Sequence, residues 1–381
     1  MKRRISRIVL WAGLLAGNIA LAQQAEMPSI PRTGLARNYD NITVDTTLKR
    51  VYYEQRLDRN PFIPMAELRS VVNDTTVQDY IPLFQGVMIA RYRLGNTLET
   101  AAPYTLHERH AYHHQFPFER RKYKVDFWIQ PVFAANFGNY NRPVESNTSV
   151  MIQSVFYVRH GMTLNYGILF PITNQLDGRP KMIRPAPIFL NQFFAFGHNF
   201  FSASAGFFHN DEYGLNLQYQ HANLSSSWTY GLEASVTGMY IYYRDGVHYT
   251  TMNRVMALGN VAYRFANPDL TVKLSGGQFL YNDRGVRMDF VRQFTNVEVG
   301  LFATKSGNGS TIGFNFAIPI WPGKLLQGDR VRLRTTDVYN FEYNYTRGYQ
   351  IGERYRVGYQ LDQKLRQYHR NYLNRQYQQL R

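Results

Sequence analysis

Long stretches of this chain change sides at every residue. Tyr213, Leu215, Leu217 and Tyr219 are interleaved with Gly214, Asn216, Gln218 and Gln220. Ile312, Phe314, Phe316 and Ile318 alternate with Gly313, Asn315 and Ala317, and Tyr339, Phe341, Tyr343 and Tyr345 with Asn340, Glu342 and Asn344. Side chains of a strand point alternately to its two faces, so each stretch has one apolar, aromatic face and one small or polar face. A soluble sandwich turns the apolar face inward. A membrane barrel turns it outward to lipid and encloses the polar face.

The alternation predicts strands at 123–135, 149–159, 161–171, 183–196, 199–208, 212–221, 227–243, 247–264, 269–281, 284–292, 296–304, 310–319 and 330–345. Turn-forming residues separate many of them: 139–143, Asp177-Gly178, His209-Asn210-Asp211, Asp245-Gly246, Asn267-Pro268-Asp269, Asn282-Asp283 and Gly307-Asn308-Gly309. Strands near ten residues long, joined mainly by tight turns, argue for an antiparallel meander. The expected fold is all-β: an antiparallel transmembrane β-barrel over 123–361. It should have about 12–14 strands, and an even number, as is usual for bacterial single-chain barrels.

The amino terminus favours the membrane reading. Lys2, Arg3, Arg4 and Arg7 precede an apolar stretch from Ile8 to Ala20, and Ala20-Leu21-Ala22 is a small-x-small cleavage pattern. Residues 1–22 therefore read as a secretory signal peptide, too short to span a membrane. No later apolar run approaches 18 residues, so insertion would be by strands. With no Cys, the chain has no disulfide, thiolate metal site or lipobox. Its 29 Tyr and 25 Phe sit beside a mean hydropathy of only −0.39, as expected where half of each strand faces lipid and half faces water. Of the formal charge of +16, four positives lie in the leader, leaving +12. Export and the lack of a basic stripe argue against nucleic acid. Anionic polysaccharide or lipid headgroups are the better match, beside plain solubilising charge.

The flanks differ from the strand series. Residues 23–122 read as an irregular periplasmic or plug-like segment, with a short helix at 65–72 and one short strand at 86–92. At the other end Leu361, Leu365, Tyr368, Tyr372 and Leu373 recur at helical spacing among Lys364, Arg366, Arg370 and Arg375. Residues 362–381 therefore read as a basic tail with a short amphipathic helix, on the periplasmic side. The chain ends in Leu380-Arg381, so an aromatic strand signal for barrel assembly would be internal, at 339–345.

One block carries a family likeness. Residues 275–283 (SGGQFLYND), 285–289 (GVRMD), 292–296 (RQFTN), 299–305 (VGLFATK) and 313–321 (GFNFAIPIW) follow one another closely. This resembles the carboxy-terminal barrel region of the YjbH/GfcD family, with a looser likeness from 123 to 345. The resemblance implies an outer-membrane protein associated with exopolysaccharide and capsule production in Gram-negative bacteria. It supplies no catalytic residues, and the chain holds one barrel-sized unit where larger members have room for two.

Glu233, Lys273, Arg287, Asp289, Glu298 and Glu342 fall on the small or polar sides of their strands. They are the candidate lumen charges, either as an ion-pair network or as a constriction that selects a polymer. Gly276 and Gly277 suggest a bend or a close backbone approach. His107, Glu108, His110, His113 and His114 cluster without the order of a zinc-peptidase motif and read as a solvated loop. His198 with Ser202 or Ser204, or His209 with Asp211, are the only sets that tempt a hydrolase reading. No catalytic residue, metal ligand or cofactor is assigned. The leading function is a non-catalytic accessory in exopolysaccharide or capsule export or assembly at the cell outer membrane. Its expected partners are outer-membrane lipids, anionic polysaccharide and other export-machinery proteins. A general diffusion porin and an outer-membrane lipid-modifying enzyme are the alternatives.

Overall fold

The computed structural model describes residues 38–71, 79–94, 98–100, 104–137, 144–176, 180–344, 350–355, 357 and 360–379. The leader read at 1–22 and the turns read at 139–143 and 177–178 lie outside them.

The segment expected to be irregular instead builds a small sheet. Its strands are β1 (Tyr39–Asp45), β2 (Arg50–Gln55), β3 (Asp79–Phe84), β4 (Val87–Met88), β5 (Tyr92–Leu94) and β6 (Leu98–Thr100), ordered β1-β2-β3-β5-β6 with β4 beside β3. β2 and β3 run parallel, and the helix α1 (Phe62–Val71) crosses between them. The strands escaped notice because they are short and covered on both sides. From Val51 to Gln55 every residue of β2 is buried, which erases the period-two signal. The strand expected at 86–92 is two pieces, β4 and β5. The His cluster, expected in a solvated loop, lies on the helix α2 (Leu106–Gln115). Thr105 and Glu108 form a reciprocal capping box there, with Oγ1 accepting from Glu108 N at 3.2 Å and Oε2 from Thr105 N at 2.9 Å.

The rest of the chain is dominated by one 16-stranded sheet. It begins with β7 (Val125–Phe137), β8 (Val144–Arg159), β9 (Met162–Asn174), β10 (Arg184–Phe196), β11 (Asn199–Phe207) and β12 (Glu212–Ala222). It continues through β13 (Trp228–Tyr243), β14 (Gly246–Tyr249), β15 (Arg254–Phe265), β16 (Leu270–Gln278), β17 (Arg284–Gln293), β18 (Glu298–Ser306) and β19 (Gly309–Ile318). The last strands are β20 (Lys324–Gln327), β21 (Val331–Thr335) and β22 (Tyr339–Asn344). The stretch expected as one strand at 247–264 is broken into β14, which pairs only with the end of β13, and β15. The stretch expected at 330–345 is likewise β21 and β22. Neighbours are antiparallel except at one place: β21 runs parallel to β7, Val331 opposite Val125 through Thr335 opposite Ile129. β22 pairs antiparallel with β19. The hydrogen-bonded order thus runs from β20 to β22, while β21 and β22 are parts of one run of chain.

Burial in this sheet is inverted relative to a soluble protein. On β12, Leu217 is 59% exposed while its neighbour Gln218 is 6% exposed. On β18, Leu301 is 61% exposed while Glu298 is 3% exposed. Arg287 and Asp289 of β17 are buried, and Val286, Met288 and Phe290 between and beside them are exposed. Of the two glycines read as a bend or a close approach, Gly277 is a close approach, with φ +143° and a Cβ there 2.2 Å from the Ala257 carbonyl oxygen, whereas a Cβ on Gly276 would meet Val286 Cγ1 at an ordinary 3.4 Å.

What covers the polar side includes the tail. It forms two helices rather than one, α3 (Leu361–Arg366) and α4 (Arg370–Gln379), so helices at both ends make the fold mainly β rather than all-β. Leu361, Leu365, Tyr368, Tyr372 and Leu373 are all buried, in one cluster with Val51, Tyr53, Met65 and Tyr92 of the N-terminal segment and Phe193 and Phe200 of the large sheet. Leu361 N donates to Gln218 Oε1 at 2.8 Å, and Tyr372 OH to the Thr295 carbonyl at 2.6 Å. Of the basic residues of α3, Arg366 meets the sheet carboxylate Glu298 at 2.9 Å, and Lys364 lies 5.2 Å from the Phe84 ring centroid.

Candidate functional site

Strand register decides which polar side chains share the covered side of the sheet. Lys273 of β16 stands opposite Asp289 of β17, and Ser275 opposite Arg287. Arg287 donates to Asp289 at 2.9 Å and grips Glu342 of β22 with both terminal nitrogens, at 3.1 and 2.9 Å, its guanidinium lying 3.7 Å above the Phe302 ring. Two-pronged pairs of this kind are the stronger form of charge-assisted bond. Lys273 turns instead to Asp362 of α3 at 2.5 Å. Glu298 is held between Arg366 of α3 and Arg59 of the N-terminal segment, each at 2.9 Å. Glu233 stands apart, accepting from Asn216 at 3.1 Å, and Asn216 also donates to Tyr355 OH at 3.0 Å. Five of the six candidate charges thus belong to ion pairs. The partners of Lys273 and Glu298 lie far away in sequence, which strand alternation has no means to reveal.

Burial alone would raise the Asp362 carboxyl. The Lys273 ammonium and the Arg366 guanidinium overcome that and hold it well below the usual carboxylate range. Between α3 and α4, burial, reinforced by the neighbouring Arg264, pushes the His369 imidazole down to about 4.

A second network was not foreseen. Asp126 at the start of β7 accepts from Arg332 and Arg334 of β21, each at 3.0 Å, and Arg332 also reaches Asp40 of β1 at 2.9 Å. Arg56, the residue after β2, completes it, 2.7 Å from Asp40. The Arg-x-Arg spacing, which puts both guanidiniums on one strand face, was the available signal. Nearby, Glu54 takes Gln85 N and Gly86 N at 3.0 Å each and Tyr157 OH at 2.5 Å. Burial pushes its carboxyl up in spite of these donors.

Among the cavities lined by the described residues, two lie between the tail and the sheet. One, of about 190 Å³, is bounded by Glu54, Gln55, Gln85, Trp128, Tyr157, Arg334, Lys364 and Gln367 among others. The second, about 120 Å³, lies among Lys273, Arg287, Asp289, Glu342 and Arg354. Asn340, Gln360 and Gln363 line both. The charges of the second cavity are mutually balanced, whereas the first is rich in amides and aromatic rings.

Other sequence candidates fall elsewhere. Ser202 and Ser204 both receive a hydrogen bond from Asn191 Nδ2, at 2.9 and 2.8 Å, and His198 lies beside His221 with ring centroids 5.8 Å apart. His209 and Asp211 form a 3-10 turn, Asp211 lying 3.8 Å from Arg184. His113 stacks on His160 at 4.1 Å. Among the described residues no three His, Asp or Glu side chains come together as a metal site.

Comparison with known families agrees with the sequence motifs. Residues 181–319 match the family described as YjbH, exopolysaccharide biosynthesis protein YbjH, and this stretch is YjbH-like. It includes nearly all of the 275–321 block on which the resemblance was read. No curated protein and no solved structure matches the chain.

Proposed function

We propose that this chain, YjbH-like over residues 181–319, is a closed barrel of a Gram-negative outer membrane that serves exopolysaccharide or capsule assembly or export as a non-catalytic accessory. The observation that carries the membrane reading is the inverted burial. Leu215, Leu217, Leu232, Val236, Leu274, Phe290, Leu301 and Ile312 are each 40–64% exposed on the outer side of adjacent strands. At ~1.5–3 kcal/mol for fully burying each such side chain, leaving these eight half in water forgoes on the order of 10 kcal/mol. That is as much as the net stability of a whole domain. Hydrocarbon outside and an enclosed polar side remove the conflict.

The sheet ends support closure. The run from β21 to β22 pairs first with β7 and then with β19, which joins the two edges. Counting that run once and setting aside β14 and β20, the proposed ring has thirteen strands among the described residues. An odd ring makes its first and last strands run the same way, which is the sense of the β21–β7 pairing. An even ring, the expectation from the sequence, would set those two strands antiparallel instead. Most of the long strands meet the ~9–11 residues a tilted crossing requires.

The interior supports an accessory rather than an open conduit. α3, α4 and part of the N-terminal segment occupy the polar side, tied there by the Lys273, Glu298 and Asp126 pairs. The partners consistent with this reading are outer-membrane lipids, the polymer and other proteins of its export machinery. The test is deletion of the gene in a polymer-producing host, with fractionation of the tagged protein. Outer-membrane residence and reduced extracellular polysaccharide, with unchanged intracellular sugar precursors, are expected. Protein free in the periplasm, or undiminished polymer, would overturn the proposal.

A further inference from the structure

The joint that closes the proposed ring is uneven along its length. In one half, Val331–Thr335 of β21 lie beside Val125–Ile129 of β7, and Asp126 is gripped there by Arg332 and Arg334, each at 3.0 Å. That contact ends where Thr336 N donates to the Ile129 carbonyl at 3.1 Å. Past 336–338 the chain leaves β7, and β22 lies along β19 instead. Among the described residues no strand pairs with β7 on this side beyond Ile129. The sequence marks the break. Backbone groups of successive residues face opposite edges of a strand, so Pro131 is the next after Ile129 to face the joint, and it has no N–H to give. Burial marks it too. Val132, Phe133 and Ala134 are exposed in succession, Val132 by 37% and Phe133 by 39%, and Tyr339 to Tyr343 are uniformly half-buried, whereas β12 and β18 alternate.

Two kinds of surface meet at this joint. On the apolar side the Phe133 ring lies 6.4 Å from that of Phe341, which is itself 6.3 Å from the exposed Phe314. On the polar side Trp128 and Gln130 of β7 and Asn340 of β22 bound the 190 Å³ cavity, with Gln153 and Asn165. Amide side chains both donate and accept, which suits hydroxyl groups. An edge without hydrogen-bond partners is disfavoured in hydrocarbon, and a hydroxylated head group supplies them. A strand added to β7 would instead meet Pro131 where its first hydrogen bond is due. A hydrocarbon chain alone has nothing for the amides, and a wholly polar molecule does not arrive through the bilayer. The joint therefore suits a molecule with both parts.

We propose that the joint between 131–137 of β7 and β22 is a lateral gate, which admits the hydroxylated head of a membrane lipid to the cavity while its acyl chains stay in the bilayer. The Asp126 pairs make the other half of the joint the hinge, and the Phe133–Phe341 contact is the latch. The gate rests on the barrel reading and deepens it, since it gives a lipid a route to the enclosed side.

The test uses the full chain, which has no Cys of its own, in phosphatidylcholine vesicles doped with digalactosyldiacylglycerol. Nitroxide labels on Ala135→Cys with Tyr343→Cys should give two separations or a broad spread. Labels on Leu217→Cys with Ala234→Cys, directly opposed on β12 and β13, should give one narrow separation. Phe133→Ala, which removes the latch, should shift the first pair toward the longer separation. Benzoylphenylalanine in place of Val132, which alternation puts on the cavity side with Trp128 and Gln130, should photocrosslink to the galactolipid in preference to phosphatidylcholine. A short bismaleimide across the Ala135→Cys, Tyr343→Cys pair should abolish that crosslink. One narrow separation for both pairs, no lipid crosslink at Val132, or a crosslink indifferent to the bridge or to the head group would overturn the gate, as would a polypeptide crosslinked in its place. If the gate fails while the deletion strain loses polymer and the protein resides in the outer membrane, the functional proposal stands without it. If the gate behaves as expected and the deletion strain keeps its polymer, the functional proposal fails instead.

Discussion

Lys273 and Asp362 meet at 2.5 Å although they are 89 positions apart in the chain. One stands on the wall of the large sheet and the other on the first helix of the tail, so this ion pair fastens the tail to the sheet beside the Arg366–Glu298 pair. Asp362→Asn leaves the buried Lys273 ammonium without its carboxylate, at an expected cost of about 3–5 kcal/mol. Replacing both, as Lys273→Met with Asp362→Leu, should recover most of that, because no buried charge is then unmatched. Thermal unfolding in detergent reads both changes. An Asp362→Asn protein that melts with the wild type would remove the pair from the account.

The acid limb of stability should report His369. Its imidazole is held down to about 4 by burial and by Arg264, while Asp269 beside it acts in the opposite sense. In the unfolded chain it titrates near 6.5, so between those values the unfolded state binds more protons. Stability from this group is complete above about pH 6.5 and drains away as pH falls toward 4, by on the order of 3 kcal/mol. Asp362, held well below the carboxylate range, adds nothing to that window and loses its contribution only in stronger acid. Unfolding measured from pH 4 to 7 should lose much of its slope in His369→Gln.

Arg332 joins β1 to β7 by bonding Asp40 and Asp126 at once, at 2.9 and 3.0 Å, and is fully buried. Arg332→Ala should expose residues 38–122 to limited proteolysis while the large sheet stays resistant. Arg332→Lys should rescue little, since one ammonium cannot span both carboxylates with the guanidinium's fixed geometry. Equal protease resistance of wild type and Arg332→Ala would show that the network does not anchor the N-terminal sheet.

Two substitutions on one strand test the proposed lipid and lumen faces. Leu217→Arg puts a charge on the exposed face of β12 and should cost about 2–4 kcal/mol near the bilayer midplane, reducing assembly into vesicles. Gln218→Glu, one residue on, faces the covered side and should leave vesicle assembly much closer to wild type. The opposite order would reverse the assignment of faces.

On the proposed barrel, the helices packed against the polar side of the sheet predict silence in planar bilayers. Wild-type protein should give no steady ohmic current, and the Lys273→Met, Glu298→Gln double variant, which loosens α3, should give intermittent openings. Stable conductance from the wild type would favour the porin alternative.

Much of the large sheet was legible from period-two alternation, because each of its strands has one face toward other protein and one away. Val286, Met288 and Phe290 were therefore assigned opposite to Arg287 and Asp289, and the Gly276-Gly277 step was read as a bend or a close approach, without coordinates. The 275–321 motifs were legible for the same reason, since strand, turn and strand are local features. The small N-terminal sheet was not, because a strand such as β2 that is buried on both sides carries no alternation. Nor were the breaks at 250–253 and 336–338, where pairing changes partner while the side-chain pattern hardly does. Facing could be read, but partners could not. Glu298 was placed on the polar side by its neighbours in sequence, yet Arg59 and Arg366 reach it only when the two ends of the chain fold onto the same side of the sheet. Local chemistry determined which way each side chain points. Long-range packing alone decided what it meets there, because contacts between residues hundreds of positions apart leave no periodic trace in the chain.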